Sequence, residues 1–152
     1  MPCILALDVG GKRTGMAVSD EGQVFAFPLE TVPSNEIITR IQELRKSRSI
    51  AEIVLGMPVN LRNEATDGTK MAVRILALLR REFSDLAIFT IDERFTSRMA
   101  KAALIEGGMK KTDRRQKENT DKVSAALILQ SYIEQKSRFG SFQTGKDYPH
   151  GV

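Results

Sequence analysis

Asp8 ends the apolar run Ile4-Leu5-Ala6-Leu7 and opens into Gly10-Gly11-Lys12-Arg13-Thr14-Gly15, so a carboxylate sits at the end of a strand-like segment. Burying a polar group without a partner costs on the order of 2–7 kcal/mol, and more for a charge, so a cation or hydrogen-bond donors must compensate it. A second acidic pair, Asp92-Glu93, closes the apolar run at residues 86–91. A third acid, Asp121, begins the stripe Ala125, Ile128, Leu129 and Tyr132, whose spacing is that of one helical face. Glu118 stands one turn before it. Each acid has an ordinary reading as well: Asp-x-Gly closes turns, and acids in a first helical turn complement the macrodipole. Drawn together from three elements, Asp8, Glu93 and Asp121 form a set of hard oxygen donors suited to Mg²⁺ or Mn²⁺. Two such ions about 3.5–4 Å apart can position a water and stabilise both oxygens of a phosphodiester displacement. Phosphodiester hydrolysis is the chemistry this constellation points to. Adjacent strand residues face opposite ways, so only one of Asp92 and Glu93 reaches the site, and Glu93 is the expected ligand.

Three strand-like runs open the chain, at residues 3–9, 14–20 and 23–29, separated by turns at Gly10-Gly11 and Glu21-Gly22. Connections this short force antiparallel neighbours. Ser34 then reads as the N-cap of a helix carrying Ile37, Ile38, Ile41 and Leu44, with a basic end at Arg45, Lys46 and Arg48. A short strand at 53–55 ends at Gly56, and a polar loop with Asn60 and Asn63 leads to a second helix over 69–83. The strand at 86–91 follows, then a short helix over 96–106, a basic stretch over 110–119 and a last helix over 120–136. Strands joined by helical crossovers must be parallel. The expected fold is therefore α/β: a mixed five-stranded sheet, three antiparallel strands and then parallel ones, with helices on both faces. Residues 1–137 are expected as one domain and 138–152 as a flexible surface tail.

At 152 residues the chain suffices for one core without staples. A single cysteine, Cys3, excludes an internal disulfide or a cysteine zinc cluster, and Cys3 itself reads as a small buried apolar residue. No apolar stretch approaches the roughly 20 residues needed to cross a bilayer. With no secretory pattern ahead of the first strand, the expected compartment is the cytoplasm. The formal net charge of +4 is compatible with a polyanionic partner and decides nothing alone.

Lys12 and Arg13 can neutralise a substrate phosphate or form a solvated hairpin tip. Arg94, beside a proposed ligand, can contact phosphate or lock the carboxylates. Asn60 can reach a sugar or phosphate from the end of a strand, or serve a plain turn. Lys110, Lys111, Arg114, Arg115 and Lys117 form a candidate backbone clamp, or a solvated charge run. Aromatic residues make up only 6% of the chain, which favours recognition of shape and phosphate over base stacking. His150, the only histidine, lies in the tail and is not the expected general base.

Four motifs in order, Asp8-Val9-Gly10 with Gly15, Gly56-Met57-Pro58-Val59-Asn60, Asp92-Glu93-Arg94-Phe95-Thr96-Ser97 and Asp121-Lys122-Val123-Ser124-Ala125-Ala126, resemble the YqgF family over about residues 3–135. The resemblance implies a ribonuclease H-like fold, kinship with Holliday-junction resolvases, and a nuclease maturing the 5′ end of pre-16S ribosomal RNA. It also implies that Asp8, Glu93 and Asp121 bind the metal ions, with Glu118 similar to a further acid of the resolvases. Structured ribosomal precursor RNA is the expected partner, for a monomer or weak homodimer. Branched DNA is the alternative substrate, and a junction resolvase needs two sites and hence a dimer. A catalytically silent RNA-binding module of ribosome assembly is the other alternative. A nucleotide phosphotransferase, which clasps its ligand between two such lobes, is disfavoured by length.

Overall fold

The computed structural model of the chain describes residues 2–57, 67–92 and 117–138. Its elements are β1 (Cys3–Val9), β2 (Arg13–Ser19), β3 (Ala26–Pro33), α1 (Ile37–Ser47), β4 (Ile50–Met57), α2 (Asp67–Glu82), β5 (Ala87–Asp92) and α3 (Lys117–Arg138). The five strands form one sheet in the order β3-β2-β1-β4-β5. β1 pairs antiparallel with β2 and β2 with β3, whereas β1–β4 and β4–β5 are parallel. This is the mixed sheet that the short early turns and the later crossovers require.

β1 lies at the centre and is buried on both faces, so it carries apolar residues of both parities. Its even positions, Ile4 and Ala6, pack with Ala17, Val54, Phe89 and Ile91 beneath α3. Its odd positions, Leu5, Leu7 and Val9, pack with Met16, Ile53 and Leu55 beneath α1 and α2. α1 buries Ile37, Ile41 and Leu44, and α2 buries Ala72, Ile75 and Leu79, each a single helical stripe. Cys3 is buried, as its apolar role requires. No helix among the described residues is long and apolar enough to cross a membrane.

Several boundaries differ from the sequence pattern, for local reasons. β3 starts at Ala26 rather than residue 23, because Asp20 Oδ1 accepts hydrogen bonds from the Val24 and Phe25 amides, both at 2.8 Å. Gln23 takes a left-handed φ of 56° within that turn, so the chain is still turning where alternation suggested a strand. β3 then runs on to Pro33, and its prolines are tolerated because it is an edge strand. β4 is longer than 53–55, since Ile50 to Glu52 pair with the start of β1. Ser34 does not cap α1: it heads a 3₁₀ turn, Ser34–Glu36, and its hydroxyl donates to the Gly10 carbonyl. The helix expected over 96–106 lies outside the described residues.

α3 begins at Lys117, earlier than residue 120, and is buried far beyond one stripe. Besides Ala125, Ile128, Leu129 and Tyr132 it buries Ala126, Gln130, Ser131 and Ile133. Gln130 makes this tolerable on its polar flank: its Oε1 accepts from the Ala26 amide at 2.9 Å and its Nε2 donates to the Val24 carbonyl at 3.1 Å. One amide side chain thereby supplies both partners that the backbone at the start of the edge strand needs.

Candidate active site

Asp8 faces α3. It follows Ile4 and Ala6 in the alternation of β1, and it is half-buried near the strand's carboxyl end. Its register partners are Gly15 on β2 and Gly56 on β4, so the sheet presents the row Thr31, Gly15, Asp8, Gly56, Ile91. Directly opposed strand residues hold their Cβ atoms about 4.5–5.5 Å apart, and here neither neighbour has one. A carboxylate flanked on both sides by glycine has no side chain beside it from either neighbouring strand at its register position.

The helix is hung so that its first turns reach the same end of the sheet. The Tyr132 hydroxyl and Lys136 Nζ both donate to Glu52, whose β1 register partner is Ile4. Going back from Tyr132 to Asp121 covers ~16 Å of helix at ~1.5 Å per residue, and going from Glu52 to Gly56 covers ~13 Å of strand at ~3.3 Å per residue. Laid along the sheet from that anchor, α3 is long enough for residue 121 to reach the level of Asp8. α3 already includes residue 118, so Glu118 and Asp121 are both helical, one turn apart. Their amino-terminal turn also carries the positive end of the helix dipole, which favours carboxylates.

Asp92, the last residue of β5, pairs with Met57 and alternates with Phe89 and Ile91, which pack beneath α3. It therefore lies on the α1–α2 side, with Ile88 and Met57, opposite to Asp8. Glu93, Arg94, Asn60, Lys110, Lys111, Arg114 and Arg115 lie outside the described residues, as does His150. Among the described residues no three Asp, Glu, His or Cys side chains come together as a metal site. Lys12 and Arg13 are exposed beyond Asp8, at the β1–β2 turn. That turn is tight: the Gly10 amide donates to the Arg13 carbonyl at 2.9 Å, and a Cβ on Gly10 would meet that oxygen at 2.6 Å.

Two features of this end were not read from the sequence pattern. One is the double glycine flank, which appears only once the register is known. The other is the bond from Ser34 to Gly10, between residues remote in the chain and carrying no local signature.

The family described as "RuvX: Holliday junction resolvase" matches residues 2–135. The chain belongs to this family. Among its relatives, a protein of Amoebophilus asiaticus named "Putative pre-16S rRNA nuclease" is 43% identical over 135 residues, 89% of this chain and 96% of that one. A protein of the same name from Bacteroides fragilis is 40% identical over 136 residues, covering 90% and 99% of the two chains. Among solved structures, the Thermus thermophilus RuvC in complex with a Holliday junction substrate superposes with a TM-score of 0.59 at 17% identity, covering 90% of this chain and 98% of that one. That likeness shows the fold, which is ribonuclease H-like. As a RuvX-family member the chain is an enzyme of a nuclease family, a hydrolase of phosphodiester bonds.

Proposed function

We propose that this protein is a metal-dependent nuclease that acts in maturing the 5′ end of pre-16S ribosomal RNA, in the cytoplasm. The observation that carries the reading is Asp8: an acid at the end of the central strand, between two glycines in the register. The names of the relatives support the substrate.

In this reading Asp8, Glu93 and Asp121 hold Mg²⁺ or Mn²⁺, and the donor set fits, because carboxylate oxygens are the ligands these hard cations prefer. Residue 93 has the parity of Phe89 and Ile91, the β5 residues that pack on the face of Asp8. Metal ions bound there supply a positioned water and stabilise the charge that develops on the phosphate oxygens. The carboxylates orient the ions. Lys12, Arg13, Asn60, Arg94, Lys110, Lys111, Arg114 and Arg115 hold the phosphates and sugars of the RNA in register with the acids. Shape and phosphate contacts then choose the substrate, with little base stacking.

The test is cleavage of a labelled ribosomal RNA precursor by the purified chain, with and without Mn²⁺. Asp8→Asn is expected to abolish cleavage while retaining the fold and most RNA affinity, and wild-type cleavage by that variant refutes the metal reading. The family's description favours a second reading, junction resolution. A protein that stays monomeric on four-way DNA junctions and leaves them uncut excludes it.

A further inference from the structure

Ser34 begins the segment after β3, yet its polar groups serve the β1–β2 turn. It is 3% exposed. Its amide donates to the Lys12 carbonyl at 2.9 Å, and its hydroxyl donates to the Gly10 carbonyl at 2.7 Å. Thr14, fully buried, places its Oγ1 2.8 Å from Ser34 Oγ. A hydroxyl has one proton, and that of Ser34 is committed to Gly10, so Thr14 is the donor of this contact. A buried chain of hydrogen bonds thus runs from Thr14 through Ser34 to Gly10, and each link polarises the next.

A two-residue hairpin turn does not need such an arrangement, because its flanking strands already hold it. Here a residue from another segment clamps two carbonyls, those of Gly10 and Lys12, and leaves Gly11 and Lys12 exposed at the tip. The open space around Gly11, where an added Cβ would meet nothing within 4 Å, keeps that tip accessible. The clamp also fixes the path by which the chain leaves Asp8.

We infer that Ser34 is a positioning residue that holds the hairpin tip in the conformation from which Lys12 contacts a phosphate of the RNA substrate. The inference rests on the nuclease reading of the Asp8 end. Holding the tip in advance spares the complex the cost of ordering it on binding, so the clamp acts on affinity more than on the chemical step.

The experiment compares the full-length wild type with Ser34→Ala, Lys12→Ala and the double variant, reading RNA affinity by fluorescence anisotropy and KM and kcat by cleavage. Ser34→Ala is expected to raise Kd and KM roughly 3- to 10-fold with a smaller change in kcat, and Lys12→Ala to do the same. The double variant is expected to match either single one, because an unclamped Lys12 has little left to lose. Ser34→Thr, which restores the hydroxyl, is expected to recover affinity. Multiplying effects in the double variant, or a folded Ser34→Ala with wild-type affinity, overturn the clamp. If Ser34→Ala does not fold, Thr14→Val removes only the donor to Ser34 and is read against Lys12→Ala in the same way. A wild-type chain that neither binds nor cuts RNA overturns the nuclease reading and this inference with it; active wild type with independent effects overturns the clamp alone.

Discussion

Tyr132→Phe tests how α3 is held at the level of Asp8. Tyr132 is 2% exposed and Glu52 8% exposed, so the hydrogen bond between them lies in the interior. The substitution keeps the ring, which stacks on Phe89 with centroids 6.0 Å apart, and removes only the hydroxyl. A hydrogen bond to a charged group contributes about 1.5–3 kcal/mol. Glu52 retains Lys136 as a partner, and that side chain is 35% exposed and partly screened, so the low end of the range, about 1.5–2 kcal/mol, is expected. For a domain of 152 residues each kcal/mol moves Tm by about 2–4 °C, which gives a fall of about 3–8 °C. The assay is thermal and urea unfolding followed by circular dichroism. In a Glu52→Leu background the same substitution should cost under about 0.5 kcal/mol, since its partner has gone. A Tyr132→Phe protein within about 0.5 kcal/mol of wild type, or full additivity with Glu52→Leu, refutes the reasoning.

Gly10→Ala drives a Cβ to 2.6 Å from the Arg13 carbonyl and should cost about 1–3 kcal/mol, whereas Gly11→Ala meets nothing and should stay within about 0.5 kcal/mol, both by urea unfolding. Burial raises the Asp20 carboxyl, but hydrogen bonds from the Phe25 and Val24 amides outweigh it and hold the group below its ordinary value; Arg45 does the same for Asp85. Carboxyls depressed in the folded state stabilise it above the unfolded value, about 3.9, and that contribution is lost as pH falls through the folded values. Tm should therefore drop steeply below about pH 4, and less steeply in Asp20→Asn; an unchanged profile in that variant counts against the turn. Leu79→Ala, at a fully buried site between α2 and the sheet, should cost about 3–4 kcal/mol by chemical unfolding, while Val73→Ser on the same helix, at a position 53% exposed, should be near neutral.

What the sequence made legible was whatever local rules determine. The connections at residues 10–12 and 20–25 are too short for a crossover and can only join antiparallel strands, and a helix between two strands must cross over, so a mixed sheet, antiparallel and then parallel, follows from loop lengths and periodicity. The misplaced features are those set by distant partners. β3 moved because one carboxylate, Asp20, gathered two amides into a turn. Ser34 has the residue type and place of an N-cap, but its hydroxyl donates to the Gly10 carbonyl and its oxygen accepts from Thr14 instead of from a helix amide. α3 looked like one apolar stripe, since nothing local indicates that Gln130 would spend its amide on the edge of β3. Glu52 gave no signal either, because its partners, Tyr132 and Lys136, lie on another helix.

The pair Asp92-Glu93 shows where pattern and packing combine. Composition cannot distinguish two adjacent acids, and strand alternation says only that they differ. The deciding quantity is the parity of β5, and that is fixed by burial: Phe89 and Ile91 fill the layer beneath α3, and Ile88 fills the other. Slipping β5 by one residue would exchange the two layers and move its large side chains to the wrong face, at a cost no single acid could offset. Asp92 is thereby held on the face away from Asp8. The metal reading thus requires Glu93, and Glu93→Gln should abolish cleavage while Asp92→Asn leaves it largely intact; the reverse order of sensitivity breaks the link between core packing and ligand choice.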